Sequence, residues 1–242
     1  MPRDAAFAAG WNEDPPCNLP ADRLALAQQP ESAAVVVVHH LNFSRSHRVI
    51  WLLEELGLPY RLVRHERDAN FRAPPALMQV HPLGKAPVIQ DGDLTLGESA
   101  VILGYIDTRY GEGRHAPPRD SDAWFEHEEW LQYAESTAAF PIMVKRIGVI
   151  TGGLSERMER FVDPTLAKTL RHIADRMSGR DYLMGDALTL ADVQMAYPLE
   201  MARSMGLLQD YPAIADYLAR LAARPAFMRA IEIGGPMLPA KN

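Results

Sequence analysis

Three polar clusters in this 242-residue chain combine residue types able to hold a small charged ligand. The first is Asn42-Phe43-Ser44-Arg45-Ser46-His47-Arg48, immediately ahead of an apolar helical pattern. Hydroxyls at a helix start can cap unpaired backbone N–H groups, each worth about 1 kcal/mol. They can equally donate to an anion held there, where the helix dipole adds roughly 0.3–1 kcal/mol. Composition leaves both readings open. The second cluster is Glu98-Ser99, which opens another helical pattern and by itself is only a good helix start. The third is Gly84-Lys85-Ala86-Pro87, where a proline entering a strand is a turn device with a cis bond as one option. Other candidates read as structure. His39 and His40 alternate across a strand, point to opposite faces and cannot chelate one metal. His127-Glu128-Glu129 lacks the HExxH spacing, so no metal site is expected. Asp192 stands three residues after Thr189, a capping-box spacing with Asp in place of Glu, and reads as a folding residue.

The elements around these clusters follow from apolar periodicity. Ala33–Leu41 is β-branched, continuous and too short for a helix, so it reads as a buried strand. Val49, Leu52, Leu53 and Leu56 recur at helical spacing and Gly57 stops the pattern. Pro59–Arg64 resembles a second strand, and Pro74-Pro75 opens a short helix that Pro82 closes. Ala86–Gln90 and Leu94–Leu96 are short strands about Asp91-Gly92, a hairpin signal. Glu98–Tyr110 carries apolar residues at 101, 102, 105 and 106 and forms a helix. This β-α-β-α-β-β-α order ends at a linker, Gly111–Asp120. Beyond it every pattern is helical. Ala123, Trp130, Leu131, Ala134 and Ala138 share one side of a long helix. Leu166, Leu170, Ile173 and Met177 make a second stripe, and Ile214, Tyr217, Leu218 and Leu221 a third behind Pro212. Trp124, Trp130, Tyr133, Phe140 and Met143 either belong to that core or line a hydrophobic co-substrate pocket. The chain divides into a leader (1–33), flexible or draped and rich in proline (Pro2, Pro15, Pro16, Pro20, Pro30), a small α/β domain (34–113) and an all-helical domain (114–242).

Composition narrows the function classes. Lys and Arg number 25 against 31 Asp and Glu, a formal charge of −6, so no basic surplus argues for nucleic acid or an anionic membrane as partner. The single cysteine, Cys17, excludes an intramolecular disulfide, a CxxC redox pair and a cysteine-rich zinc site, and with nothing nearby to activate it reads as an incidental thiol. A hydrophobic content of 48% excludes disorder of the whole chain. The aliphatic run Val35–Val38 is too short to span a bilayer, and the opening MPRDAAFAAGWNEDPP has no apolar signal region, so the expected location is the cytoplasm.

Taken together, SRSHRVIWLLEELGLPY, HPLGKAPVIQDGDLTLGES and AVILGYIDTRYG, followed later by DYLMGDALTLADV, resemble the glutathione transferase family in order and spacing. The resemblance runs from about Val35 to about Arg229 and looks most like a bacterial and fungal subgroup with a serine-rich first turn. It implies an α/β thioredoxin-like N-terminal domain that binds glutathione, followed by an all-α C-terminal domain. It also implies that the backbone of Ala86 pairs with the cysteinyl part of glutathione in antiparallel fashion. Pro87 is then the family's cis-proline. Glu98 and Ser99 take the γ-glutamyl ammonium and carboxylate, and Lys85 stands near the glycyl carboxylate. The implied activity is transfer of the glutathione sulfur to a hydrophobic electrophile, or reduction of an organic hydroperoxide, in detoxification. The implied assembly is a homodimer. A non-catalytic glutathione-transferase-like binding or interaction protein is the alternative.

Such catalysis needs a thiolate. A free thiol has a pKa of about 8.5 and is only a few per cent ionised at neutral pH. A donated hydrogen bond and a helix N-terminus lower it, and one to two units correspond to about 1.4–2.7 kcal/mol. The family's usual serine falls at Phe43, which cannot donate. Asn42, Ser44, Ser46 or a backbone N–H must substitute. Ser44 is the donor assigned here, with Ser46 as the helix cap and Arg45 directed to solvent or an incoming carboxylate.

Overall fold

Three β-branched residues, Val36–Val38, begin the central strand of the sheet, β1 (Val36–Leu41). The computed structural model describes residues 36–239; the leader, Cys17 and the first residues of the expected strand lie outside the described residues. From β1 the chain turns into α1 (His47–Leu56), crosses over and returns as β2 (Tyr60–His65), parallel to β1 with Val38 opposite Leu62. Helix α1 buries Val49, Ile50, Leu52 and Leu53 completely, and Gly57 ends it in the left-handed conformation (φ 65°) that a side chain would strain. After the short α2 (Ala76–Val80), β3 (Val88–Asp91) runs antiparallel to β1 and makes a hairpin with β4 (Leu94–Leu96), giving the order β2-β1-β3-β4.

Helix α3 (Ser99–Tyr110) is rotated from the expected face. It buries Ile102, Leu103 and Ile106, while Val101 is 54% exposed. The expected long helix after the linker is interrupted. It runs as α4 (Asp122–Tyr133), passes through a π-helical turn at Ala134–Ala138 and resumes as α5 (Ala139–Thr151). Ala123 is exposed, whereas Trp130, Leu131, Ala134 and Ala138 are buried. A π turn carries one extra residue, which apolar periodicity does not reveal, and such bulges recur at functional sites.

Helix α6 (Glu156–Met177) buries the expected stripe through Leu166, Leu170, Ile173 and Met177. Helix α7 (Leu190–Ser204) runs through the domain centre, with α8 (Pro212–Ala222) against it. Its first turn holds Asp192, which is more than a cap. The carboxylate is fully buried and accepts bonds from Leu183 N, Thr189 N, Thr189 Oγ1 and Tyr217 Oη at 2.8–2.9 Å. Finally α9 (Pro225–Gly234) folds back onto α1. Trp51 meets Phe227 edge-on at 5.0 Å, and Arg224 grips Glu55 through two nitrogens. The helical domain therefore holds the helix that starts at the first polar cluster. None of the described helices is long and apolar enough to cross a membrane.

Candidate active site

The turn between β1 and α1 sorts its own side chains. Phe43 adopts a left-handed backbone (φ 52°) and stacks on Phe71 with ring centroids 6.0 Å apart. Asn42 faces the β2 side, where its amide donates to Glu66 and its oxygen accepts from Arg67 N at 3.0 Å. Ser46 precedes α1 but makes no capping bond, contrary to the expectation. Its hydroxyl is fully buried, 2.8 Å from His40 Nδ1, and accepts from Leu41 N at 3.3 Å. The His40 ring fixes the direction of that bond. Nε2 lies 2.8 Å from Gly234 O, which can only accept, so Nε2 carries the proton. Burial and the neighbouring His47 lower the His40 pKa to about 4, so the ring is neutral and Nδ1 accepts from Ser46. The Ser46 proton is thus committed.

Ser44 is different. Its Oγ lies 2.7 Å from Leu41 O and 2.6 Å from Ser46 Oγ. It also accepts from Ser46 N at 3.2 Å. One proton serves two alternative acceptors, and the hydroxyl borders a cavity of about 440 Å³. Neither Asn42 nor Ser46 borders it.

The tertiary fold brings all six expected residues, Ser44, Lys85, Ala86, Pro87, Glu98 and Ser99, to that one cavity. The Ala86–Pro87 bond is cis. Lys85 is exposed at the rim. Glu98 immediately precedes α3 with φ 63° and ψ 113°, a sparsely populated conformation for a non-glycine residue. Such outliers persist where surrounding structure holds them, and they cluster at ligand sites. Ser99 is buried and accepts from Arg48 Nη1 at 3.0 Å.

Arg67, Glu135 and Tyr197 line the cavity and escaped the sequence reading, as did the role of Arg48 behind it. Arg48 is fully buried; besides Ser99 its guanidinium bonds Glu135 and the backbone oxygen of Gln194. Burial lowers its pKa to about 10, so it stays charged at neutral pH. Glu135, inside the π turn, also receives Arg45 Nε at 2.9 Å from each oxygen, so Arg45 is ion-paired while its side chain stays 30% exposed at the cavity. Burial pushes the Glu135 carboxyl up, but Arg48 and Arg45 outweigh it and hold the group below the usual carboxylate range. Tyr197 of α7 donates to Phe43 O at 3.3 Å and lies under the Arg45 and Arg48 guanidiniums at 5.1 and 5.5 Å. A charge on the apolar stripe at Arg48, four residues before Leu52, was a readable signal; Glu135 and Tyr197 had none. Of the aromatic candidates, Trp130 is core, Trp124 lines another hollow, and Phe140 is 52% exposed; none borders this cavity.

Residues 33–108 match the family model for the glutathione S-transferase N-terminal domain, and residues 131–225 the model for its C-terminal domain. Glutathione S-transferase 3 of Schizosaccharomyces pombe is 30% identical, covering 82% of this chain and 87% of that protein. The chain belongs to the glutathione S-transferase family. Glutathione S-transferase 1 of Saccharomyces cerevisiae is 29% identical, over 83% of this chain and 96% of its own length. A solved glutathione S-transferase from Actinobacillus pleuropneumoniae superposes with a TM-score of 0.76 at 33% identity, covering 83% of this chain and 93% of that one. The thioredoxin-like sheet followed by an all-α domain is the glutathione S-transferase architecture.

Proposed function

We propose that this cavity binds glutathione, ionises its thiol and delivers the sulfur to a hydrophobic electrophile or an organic hydroperoxide, the chemistry of detoxification. The observation that carries the reading is the convergence of Ser44, Lys85-Ala86-Pro87 and Glu98-Ser99 on one cavity. Glu98 suits the γ-glutamyl ammonium, and Ser99, backed by Arg48 and the α3 N-terminus, suits the neighbouring carboxylate. The Ala86 backbone can pair with the cysteinyl unit as an added strand, and Lys85 offers a cation to the glycyl carboxylate. The sulfur then lies toward Ser44, whose proton can leave Leu41 O or Ser46 Oγ for the thiolate. The start of α1 adds its dipole. A glutathione transferase family member from Pseudomonas fluorescens, solved with two glutathione bound, supports glutathione as the co-substrate at the level of the fold. The reading includes a cytoplasmic homodimer, a closed two-fold pair being the commonest oligomer. Light scattering should give twice the monomer mass.

The deciding experiment is calorimetry with glutathione, followed by turnover on a panel of electrophiles and hydroperoxides. Binding with turnover supports the enzyme. Absence of binding overturns the reading. Binding without turnover on any member favours a non-catalytic binding protein, a reading that Phe43 at the family's serine position supports.

A further inference from the structure

The cations around the cavity differ in how they are neutralised. Arg45 and Arg48 share Glu135. Lys85 stands exposed at the rim. Arg67, just after β2, is half-buried and has no carboxylate at ion-pair distance among the described residues. The flanking acids are engaged elsewhere, Glu66 by Asn42 and Asp68 Oδ1 by the backbone N–H groups of Asn70 and Arg72. The charges felt by Arg67 are those of the Tyr197 phenol and of Arg146 on α5, a like charge. Burial first, and Arg146 with it, hold the guanidinium below the usual arginine range.

The guanidinium is nevertheless held firmly. Nε donates to Asn42 O at 3.1 Å, Nη1 to Phe71 O at 3.0 Å and Nη2 to Phe43 O at 3.4 Å, and its carbon lies 4.5 Å from the Phe71 ring centroid. One N–H on each of Nη1 and Nη2 is left over. A half-buried cation with unused donors and no counter-ion is offset when a ligand brings negative charge. On the proposed reading, glutathione's own charges are met by Glu98, Ser99 and Lys85. That leaves Arg67 for the second substrate.

We infer that Arg67 selects the electrophile: it holds the carbonyl oxygen of an α,β-unsaturated aldehyde or ketone beside Ser44 and carries the charge that oxygen gains. This inference rests on the proposed glutathione reading. In the step, a sulfur electron pair forms the C–S bond at the β-carbon. The C=C π pair moves to the bond between the α-carbon and the carbonyl carbon, and the carbonyl π pair moves onto oxygen. The resulting enolate oxygen accepts the two spare N–H groups. The α-carbon then takes a proton from water, balancing the proton the thiol released, so that RS–H adds across the double bond with no oxidant or reductant. Because that oxygen is nearly neutral in the bound substrate and gains charge on the way to the enolate, Arg67 acts mainly on kcat. The half-exposed Phe71 ring lies beneath the guanidinium, outside the cavity lining, and holds it in place.

The test compares trans-2-nonenal with benzyl chloride, both with glutathione, in the wild type and in Arg67→Gln and Arg67→Lys of the full chain. Benzyl chloride places its developing charge on a chloride in line with sulfur and has no oxygen to hold. The ratio of kcat/KM for nonenal to that for benzyl chloride should fall about ten- to hundredfold in Arg67→Gln, chiefly through kcat. It should fall less in Arg67→Lys, which keeps the charge without the fork. If Arg67→Gln does not fold, the smaller fall in Arg67→Lys carries the test. An unchanged ratio overturns the inference. So does a parallel loss of both activities together with glutathione affinity, the result for a residue that only staples the first turn. Wild-type protein that fails to bind glutathione would instead bring down the proposed function, and this inference with it.

Discussion

Replacing Ser44 by alanine tests the thiolate site most directly. The Ser44 proton has two protein acceptors, Leu41 O at 2.7 Å and Ser46 Oγ at 2.6 Å, and needs only one. Ser46 Oγ keeps its bond from Leu41 N when Ser44 turns to a ligand, and Leu41 O gives up the Ser44 proton to the thiolate. A hydrogen bond to a charged group contributes about 1.5–3 kcal/mol. At about 1.4 kcal/mol per pKa unit, Ser44→Ala should raise the pKa of bound glutathione by about one to two units. The assay is thiolate absorbance of the complex against pH, with calorimetric affinity measured above that pKa in parallel, and the affinity for the fully ionised ligand should fall by the same one to two decades. Ser46→Ala should behave otherwise. It strips the buried His40 Nδ1 of its donor and Leu41 N of its acceptor, an expected stability loss of about 1–3 kcal/mol by chemical denaturation, with little change in the titration. The assignment is refuted if Ser44→Ala leaves the titration unmoved while Ser46→Ala or Asn42→Ala shifts it. If none of the three moves it, backbone N–H groups and the α1 dipole carry the thiolate.

Three further outcomes can be measured. Glu98→Ala and Ser99→Ala should each weaken glutathione binding by about 1–3 kcal/mol in calorimetry, and unchanged affinity in both would displace the γ-glutamyl site. Asp192→Ala removes the acceptor of four buried bonds and should cost about 3–5 kcal/mol of unfolding free energy, more than a surface cap, while any soluble variant keeps its glutathione affinity; native stability with lost turnover would make Asp192 catalytic. His40, His47 and His127 are each held near a pKa of about 4 by burial, below the ordinary 6.5. The unfolded chain then binds protons that the folded chain refuses, so stability is fully present above about pH 6.5 and is lost as pH falls toward 4, by up to about 3 kcal/mol per histidine. Among the described residues both buried His127 ring nitrogens lack a hydrogen-bond partner, with Glu128 Oε1 3.5 Å from Nδ1, so His127→Phe should flatten this dependence in denaturation series at pH 7 and 4.5, and an unchanged slope would contradict it.

Local order was legible because it is written in neighbouring residues. The β-branched run of β1, the helical recurrence in α1 and α6, the turn at Asp91-Gly92 and the Thr189–Asp192 spacing each depend on side chains within a few positions, where backbone geometry alone sets which residues meet. The six residues that the family resemblance proposes for glutathione were nameable in the sequence, and the fold brings them to one cavity. Periodicity failed where a distant contact overrides it. The π turn that carries Glu135 leaves no trace in apolar spacing, and the rotation of α3 follows from what packs against it. Arg48 reaches Ser99, Glu135 and Gln194 across 51, 87 and 146 residues of chain, so its role exists only once α1, the π turn and α7 are packed together. The choice among Asn42, Ser44 and Ser46 was likewise undecidable in sequence, because three adjacent polar side chains are equivalent until their partners arrive. Tertiary structure committed Asn42 to the β2 loop and Ser46 to His40, itself oriented by Gly234 at the end of α9, and left the Ser44 proton free to choose.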